Sequence, residues 1–458
     1  MKKKTITSIL LTLAVSIISC KKFIEVGPPT NQIASATIFQ NEETATAAIN
    51  GLYTTLSNSS LYFAAGGNSV YLGLYSDELY YTGTGTVIED FANSNLSISN
   101  SYVAINFWSQ PYQVINQANS CITGLKKSNL SQSFTSQLLG EAYFMRAFSY
   151  WNLINLFGDV PLVLTAEDYE GVSKMSRTAF ADVRNQILAD LKQAKDLLNP
   201  AYPTTGRYRV NYYTALAFLS RVHTYLGNWD EVLNSSNEVI SQTSTYFLET
   251  DLNKTFLIGS TEAIWQTATG NLSTNTSEGF SLIPSTSATI RPAYPIQPGL
   301  FNSFSSIDKR KTNWTAQKTV AGSVFQYPVK YKVRTNTVKT EAQMMIRLAE
   351  VYLNRAEAKA HLNDPTAIDD LNKTRFRAGI GNLSAISGQP LIDAIMQERK
   401  LELFAEWGLR FFDLKRTGRL DPILSSMKAD WRTTAALFPI PNAERLAAPN
   451  LSQNPGYF

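Results

Sequence analysis

The sequence predicts a mainly α-helical protein with long irregular loops and a minor amount of β structure, and three observations carry that prediction. Apolar residues recur at helical spacing through most of the chain. Two helix–turn–helix units recur, one spanning Asn211 to Ser241 and the other Ala342 to Arg377. Two stretches rich in Ser, Thr, Gly and Tyr or Pro, near 57–102 and 243–340, interrupt the helical pattern.

From Asn41 to Leu56, the residues Ala45, Ala48, Ile49, Leu52 and Leu56 fall on one helical face, with Asn41 or Gln40 placed to cap it. Ser57 to Ser101 is polar, Gly-rich and Tyr-rich and reads as loop. Helix resumes from Val103 to Leu125, where Pro111 is expected to kink or split it. Leu138 to Phe157 is apolar around nearly every face, which implies a central, buried position, and Gly158 and Pro161 stop it. Val183 to Leu198 is amphipathic and ends just before Pro200.

The helices then pair. Asn211–Leu226 and Trp229–Ser241 flank the turn Gly227-Asn228, and Ala342–Leu362 and Thr366–Arg377 flank Asn363-Asp364-Pro365. Small residues such as Ala215, Ala217, Ala349, Ala356, Ala358 and Ala360 let paired helices approach closely. Both units resemble tetratricopeptide-type helix hairpins. Between them, Thr243 to Thr340 carries short β-like runs at Ala263–Thr267 and Tyr327–Val333, and an inter-helix connection of that length points to function. A last helix is predicted from Ile395 to Lys415. Its carboxylates Glu398, Glu402 and Glu406 repel one another unless cations intervene, and Arg399, Lys400, Arg410 and Arg416 lie close in sequence, so a salt-bridged structural helix is expected.

The first twenty residues set the location. Lys2, Lys3 and Lys4 precede an apolar run, Ile6–Ile18, too short to span a bilayer, and Ile17-Ile18-Ser19-Cys20 ends it like a lipobox, Ile18 standing where a small residue is usual. Residues 1–19 read as a lipoprotein signal peptide, 20–34 as a tether lipidated at Cys20, and 35–458 as one folded domain. With roughly 0.8 kcal/mol per buried methylene, several acyl chains on Cys20 hold such a protein on a membrane. Loss of the three leader lysines brings 41 basic residues close to balance with 37 acidic ones, so nothing attracts nucleic acid. A hydrophobic content of 44% with 17% charged residues is that of a folded protein rather than a disordered one. Cys121, inside an apolar helical pattern, reads as a small buried hydrophobe. His223 and His361 stand far apart without a second ligand at metal spacing, so no metal, cofactor or His-based triad is assigned.

Several separated blocks, in order, resemble one family. GEAYFMRAFSYWNLINLFGDVPL (Gly140–Leu162), RLAEVYLNRAEAK (Arg347–Lys359), IMQERKLELFAEWGLRFFDLK (Ile395–Lys415) and LFPIPNAERLAAPNLSQNPGY (Leu437–Tyr457) are similar to signature segments of the SusD/RagB family of outer-membrane nutrient-binding lipoproteins, and WSQPYQVINQAN (Trp108–Asn119) joins them. Trp407-Gly408 stands where the family often has Glu-Gly. The resemblance implies a SusD-like helical scaffold anchored in the outer membrane and facing the cell exterior. There it captures an oligosaccharide, polysaccharide or other nutrient and delivers it, as a lid, to a SusC-like TonB-dependent transporter. It implies no catalysis.

Sugar recognition asks for flat aromatic faces and for polar groups that replace the water lost from hydroxyls. Two loop segments mix both. Ser69–Asp90 offers Tyr75, Asp77, Tyr80 and Tyr81, and Arg291–Tyr331 offers Arg291, Tyr294 and Trp314. These seven are the candidate ligand-binding residues, and Trp314, between Asn313 and Thr315 in a polar run, is the one most expected to be exposed. For each ring the competing reading is packing of the loop onto the helices. Two other functions fit less of the sequence: a peptide as the nutrient, and a glycoside hydrolase using paired carboxylates such as Asp77 and Glu89. A third reading is a subunit that caps the transporter without touching nutrient.

Overall fold

The computed structural model describes residues 35–57, 61–166, 169–270 and 273–458. The leader, Cys20 and the tether lie outside them. Ten helices build the scaffold: α1 Glu42–Ser57, α2 Gln110–Lys126, α3 Gln132–Phe157, α4 Phe180–Leu197, α5 Tyr212–Leu226, α6 Trp229–Ile240, α7 Leu348–His361, α8 Ala367–Ala378, α9 Gly388–Glu402 and α10 Leu409–Arg416. From α1 to α8 each packs against the next, and α9 closes on α7 and α8. The two sequence-distant hairpins are therefore neighbours in space, as in a repeat stack in which each pair buries its apolar face on the following one. The α5–α6 and α7–α8 pairs meet through a buried Arg221–Glu350 ion pair at 2.6 Å, Asn354 donating to Ser220 at 3.2 Å, and the rings of Trp229 and His361 stacked 4.1 Å apart.

Local chemistry explains the helix ends. Asn211 and Thr214 form a reciprocal capping box at the start of α5, and Gly227 takes the left-handed conformation at its end (φ 71°), where a side chain would be strained. Pro111 stands where the helix changes from wide π turns to regular α turns. The wide turns over Val103–Ser109 run directly into α2, and their looser spacing there accommodates the ring of Pro111 and its missing N–H. α3 is central as expected: Phe144 and Phe148 pack edge-on against Trp265 at 5.2 and 5.1 Å.

Three elements differ from expectation. Residues 343–347 form a strand, β4, rather than the start of α7, and pair antiparallel with β1 (Ala263–Thr267). The run read at Tyr327–Val333 is strand only at its first two residues, which end the hairpin of β2 (Thr315–Val320) and β3 (Ser323–Pro328). The helix expected from Ile395 to Lys415 breaks after Glu402. Ala405, Trp407 and Gly408 all take positive φ, because Trp407 turns inward to pack on Phe148 at 5.5 Å and to donate its Nε1–H to the Met344 carbonyl at 2.8 Å. Within the segment read as polar loop, Phe63–Tyr75 is buried throughout and helical apart from a kink at Ala65-Gly66.

The three carboxylates of the α9 region are structural, but their cations come from elsewhere. Arg310 donates to Glu398 at 2.7 Å and Glu402 at 3.0 Å, and Arg347 to Glu402 at 2.6 Å, Glu406 at 2.8 Å and Glu262 at 2.7 Å. Arg377 bridges Glu262 and Glu402, and Lys330 pairs with Glu406. Burial alone would raise Glu402, yet the Arg377, Arg347 and Arg310 guanidiniums hold it well below the carboxylate range. The sequence neighbours pair differently: Arg399 with Asp413, Arg416 with Glu357 and Asp413, and Lys400 and Arg410 with Asp77. This buried cluster fastens the long 243–340 connection to the scaffold.

Candidate functional site

The two candidate loop segments meet. Leu79 bridges Ile296 in antiparallel fashion, the Tyr80 amide donates to the Pro295 carbonyl at 2.9 Å, and the Thr82 amide to the Ala293 carbonyl at 3.2 Å. The Thr82 hydroxyl adds a bond to the Pro292 carbonyl at 2.6 Å. On the other side the Ile296 amide donates to Gln326 of β3 at 2.7 Å, so a short three-layered ribbon joins 79–82, 293–296 and the hairpin. Residues far apart in sequence thus share a fixed register.

Side chains alternate across such a ribbon, which puts Tyr81 with Leu79 and Tyr294 on one face and Tyr80 on the other. The rings of Tyr81 and Tyr294 stack 5.9 Å apart at 22°. Behind them Tyr71 lies 5.3 Å from Tyr102. Burial, and the neighbouring Tyr81 and Tyr102 phenols, push the Tyr294 hydroxyl up to about 12, so it stays a neutral donor and acceptor. Tyr80, Tyr81 and Tyr327 are partly exposed, and Arg291 is exposed with its guanidinium 5.7 Å from the Phe325 ring. The loop 83–86 beside Tyr81 is exposed. A Cβ on Gly83 would lie 2.4 Å from the Tyr81 hydroxyl, so the ring or the loop would have to shift to admit one. Tyr102 was not among the candidates, because only the tertiary fold carries the first turn of its helix to the ribbon.

Three candidate residues lie elsewhere. Trp314, expected to be exposed, is completely buried: its Nε1–H donates to the Leu252 carbonyl at 3.0 Å, and Lys330, Arg347 and Arg377 surround its ring at 4.6–5.7 Å. It is the aromatic floor of the buried charge cluster. Tyr75 is also fully buried, donating to the Ala435 carbonyl at 2.8 Å amid Phe91, Phe411 and Phe438. Asp77 is buried in a bidentate pair with Arg410 at 2.7 and 2.9 Å, with Lys400 at 3.3 Å. Burial would raise its carboxyl, but those cations hold it below the usual range. Of the candidates, Tyr81 and the buried Tyr294 share one face of the ribbon, Tyr80 lies on its other face, and Arg291 lies beside Phe325 of the hairpin.

Burial pushes the Cys121 thiol up to about 12, which suits a packed hydrophobe. Among the described residues no group of three or more His, Cys, Asp or Glu is arranged to hold a metal ion. No helix among them is long and apolar enough to cross a membrane.

Comparison with known proteins places this geometry. Residues 22–226 match a SusD-like family described as starch-binding associating with outer membrane, and residues 299–457 match the SusD family. SusD-like protein P25 of Formosa agariphila is 26% identical over 91% of this chain and 90% of its own length, and SusD-like protein P2 of the same organism is 25% identical over the whole of both. A SusD superfamily protein of Bacteroides vulgatus superposes with a TM-score of 0.81 at 22% identity, covering 92% of this chain and 100% of that one. A laminarin binding SusD-like protein does so with a TM-score of 0.76 at 23% identity, again over 92% and 100%. The two matched regions span the helical scaffold on both sides of the long connection, the motifs read from the sequence fall within them, and the chain belongs to the SusD/RagB family of outer-membrane-associated proteins.

Proposed function

We propose that this protein binds an oligosaccharide or polysaccharide on the ribbon formed by Tyr80, Tyr81, Arg291 and Tyr294 and delivers it to a SusC-like TonB-dependent transporter as its lid. Tyr81, partly exposed and backed by the buried Tyr294 ring, carries this reading beside an exposed glycine-containing loop. Flat rings receive the C–H face of a sugar, and the clustered phenols and the Arg291 guanidinium replace water at its hydroxyls. The starch-binding description of the matching family and the laminarin-binding relative support a glycan as the ligand class. Lipidation of Cys20 supplies the membrane attachment, with the folded body displayed to the cell exterior.

The state of Asp77 supports binding rather than hydrolysis. Asp77, one half of the acid pair considered from sequence, is neutralised by Arg410 and Lys400 and buried away from the ribbon's exposed face. Calorimetry with laminarin, starch and a mixed peptide pool tests the reading: saturable polysaccharide binding without product formation is expected. Binding to peptides alone rejects the carbohydrate ligand, and release of shorter saccharides rejects a purely binding role.

A further inference from the structure

A cavity of about 620 Å³ opens at the C-terminal end of α3 and is lined by none of the ribbon residues. Its walls include the aromatic side chains of Trp151, Tyr225 and Phe412. Its charged lining is Lys415, Arg177, Arg416 and Asp159. Arg416 is neutralised by Glu357 at 2.6 Å and Asp413 at 2.8 Å. Arg177 donates to the carbonyls of Phe157, Asp159 and Ser452 and to the Asn454 side-chain oxygen, and so caps the helix end, with the Asp159 carboxylate near enough to favour its charge.

Lys415 is different. Its ammonium makes one hydrogen bond, to the Asn155 carbonyl at 2.6 Å, and both partners line the cavity. An ammonium has three donors. Among the described residues no carboxylate pairs with it, and burial pushes it down to about 7. The carbonyl end of α3 accounts for one of its donors and offsets only part of its charge. Lys415 is half-buried, and an anion entering from the open side would pair its charge while completing its hydrogen bonds. Asp159, the one anionic side chain lining the cavity, is exposed and accepts the Phe180 amide at 2.7 Å.

We propose that this cavity binds a hexuronic acid, its carboxylate on Lys415 and Arg177 and its ring against Trp151, Tyr225 and Phe412, as a second carbohydrate site separate from the tyrosine ribbon. The carboxylate follows from the cations. The choice of a sugar as its carrier rests on the carbohydrate reading above. The volume lies within the range that small-ligand sites occupy.

The test is calorimetric titration of the full chain in detergent with D-glucuronate, D-galacturonate, D-glucose and D-galactose, on the parent, Lys415→Met, Lys415→Gln and Tyr81→Ala/Tyr294→Ala. Uronates are expected to bind at least tenfold more tightly than the neutral sugars. Both Lys415 variants should lose at least tenfold in uronate affinity, and the tyrosine double variant should keep the parent value. Circular dichroism checks folding, and the glutamine variant serves should the methionine one not fold. Uronates binding no better than neutral sugars, or as well to both Lys415 variants as to the parent, would overturn the site. Polysaccharide binding without uronate binding overturns the cavity alone. Uronate binding without polysaccharide binding overturns the ribbon reading and leaves the cavity standing.

Discussion

Glu402 Oε1 lies 2.6 Å from Arg347 Nη1 with both side chains buried, and this pair joins the end of α9 to β4. Through Arg310, Glu398 and Lys330 the same cluster reaches the segments flanking the β2–β3 hairpin, which in turn holds Ile296 of the ribbon. The ribbon's position is thus set by buried charge at a distance from it. Removing one partner leaves the others uncompensated, which costs roughly 3–5 kcal/mol. Glu402→Gln should lower unfolding free energy by that amount in urea titrations. Breaking the exposed Glu170–Lys174 pair by Glu170→Ala should cost less than about 1 kcal/mol.

Trp314 separates stability from binding. Trp314→Phe keeps a ring under the three cations but deletes the bond to the Leu252 carbonyl, a loss of about 1–3 kcal/mol. Thermal melts should show the destabilisation, while glycan affinity measured well below the transition should equal that of the parent. A fall in affinity matching that of a Tyr81 variant would return Trp314 to the binding surface.

Gly83→Ala probes the loop beside the stacked pair. The added methyl meets the Tyr81 hydroxyl, so either the ring or the loop must move. Weaker glycan binding with an unchanged melting temperature is expected, since the loop is exposed and carries little of the core.

How much of this was legible beforehand depends on the range of the interaction. The amphipathic helices rest on contacts within a few residues, so α1, α4 and the α5–α6 hairpin stand within three residues of where periodicity puts them. The structural role of Glu398, Glu402 and Glu406 was readable from like-charge spacing, but their partners were not, because Arg310, Lys330 and Arg347 arrive from the long connection. Trp314 looked exposed because its neighbours are polar. Its actual surroundings, Leu252, Phe256 and Lys330, come from other segments. Aromatic density did locate the two segments that form the ribbon, yet density cannot rank rings within a segment, so Tyr75 and Tyr81 looked alike.

Glu78 gives the fold a pH dependence. Burial, with Asp77 adjacent, pushes its carboxyl up to about 8, against about 4.3 in an unfolded chain. The folded form therefore keeps a proton that the unfolded chain releases. This group's contribution is fully present below about pH 4 and is lost as pH rises towards 8. Glu78→Gln keeps the neutral shape and removes the titration. Denaturant melts should find it more stable than the parent at pH 8, with the gap closing towards pH 4.

The most direct measurement is the affinity of Tyr81→Ala/Tyr294→Ala for laminarin or starch, whichever the parent binds, alongside its melting temperature. Loss of both rings should weaken binding at least tenfold, about 1.4 kcal/mol, in a protein that still melts cooperatively. Unchanged affinity in the folded double variant would contradict the ribbon as the glycan site.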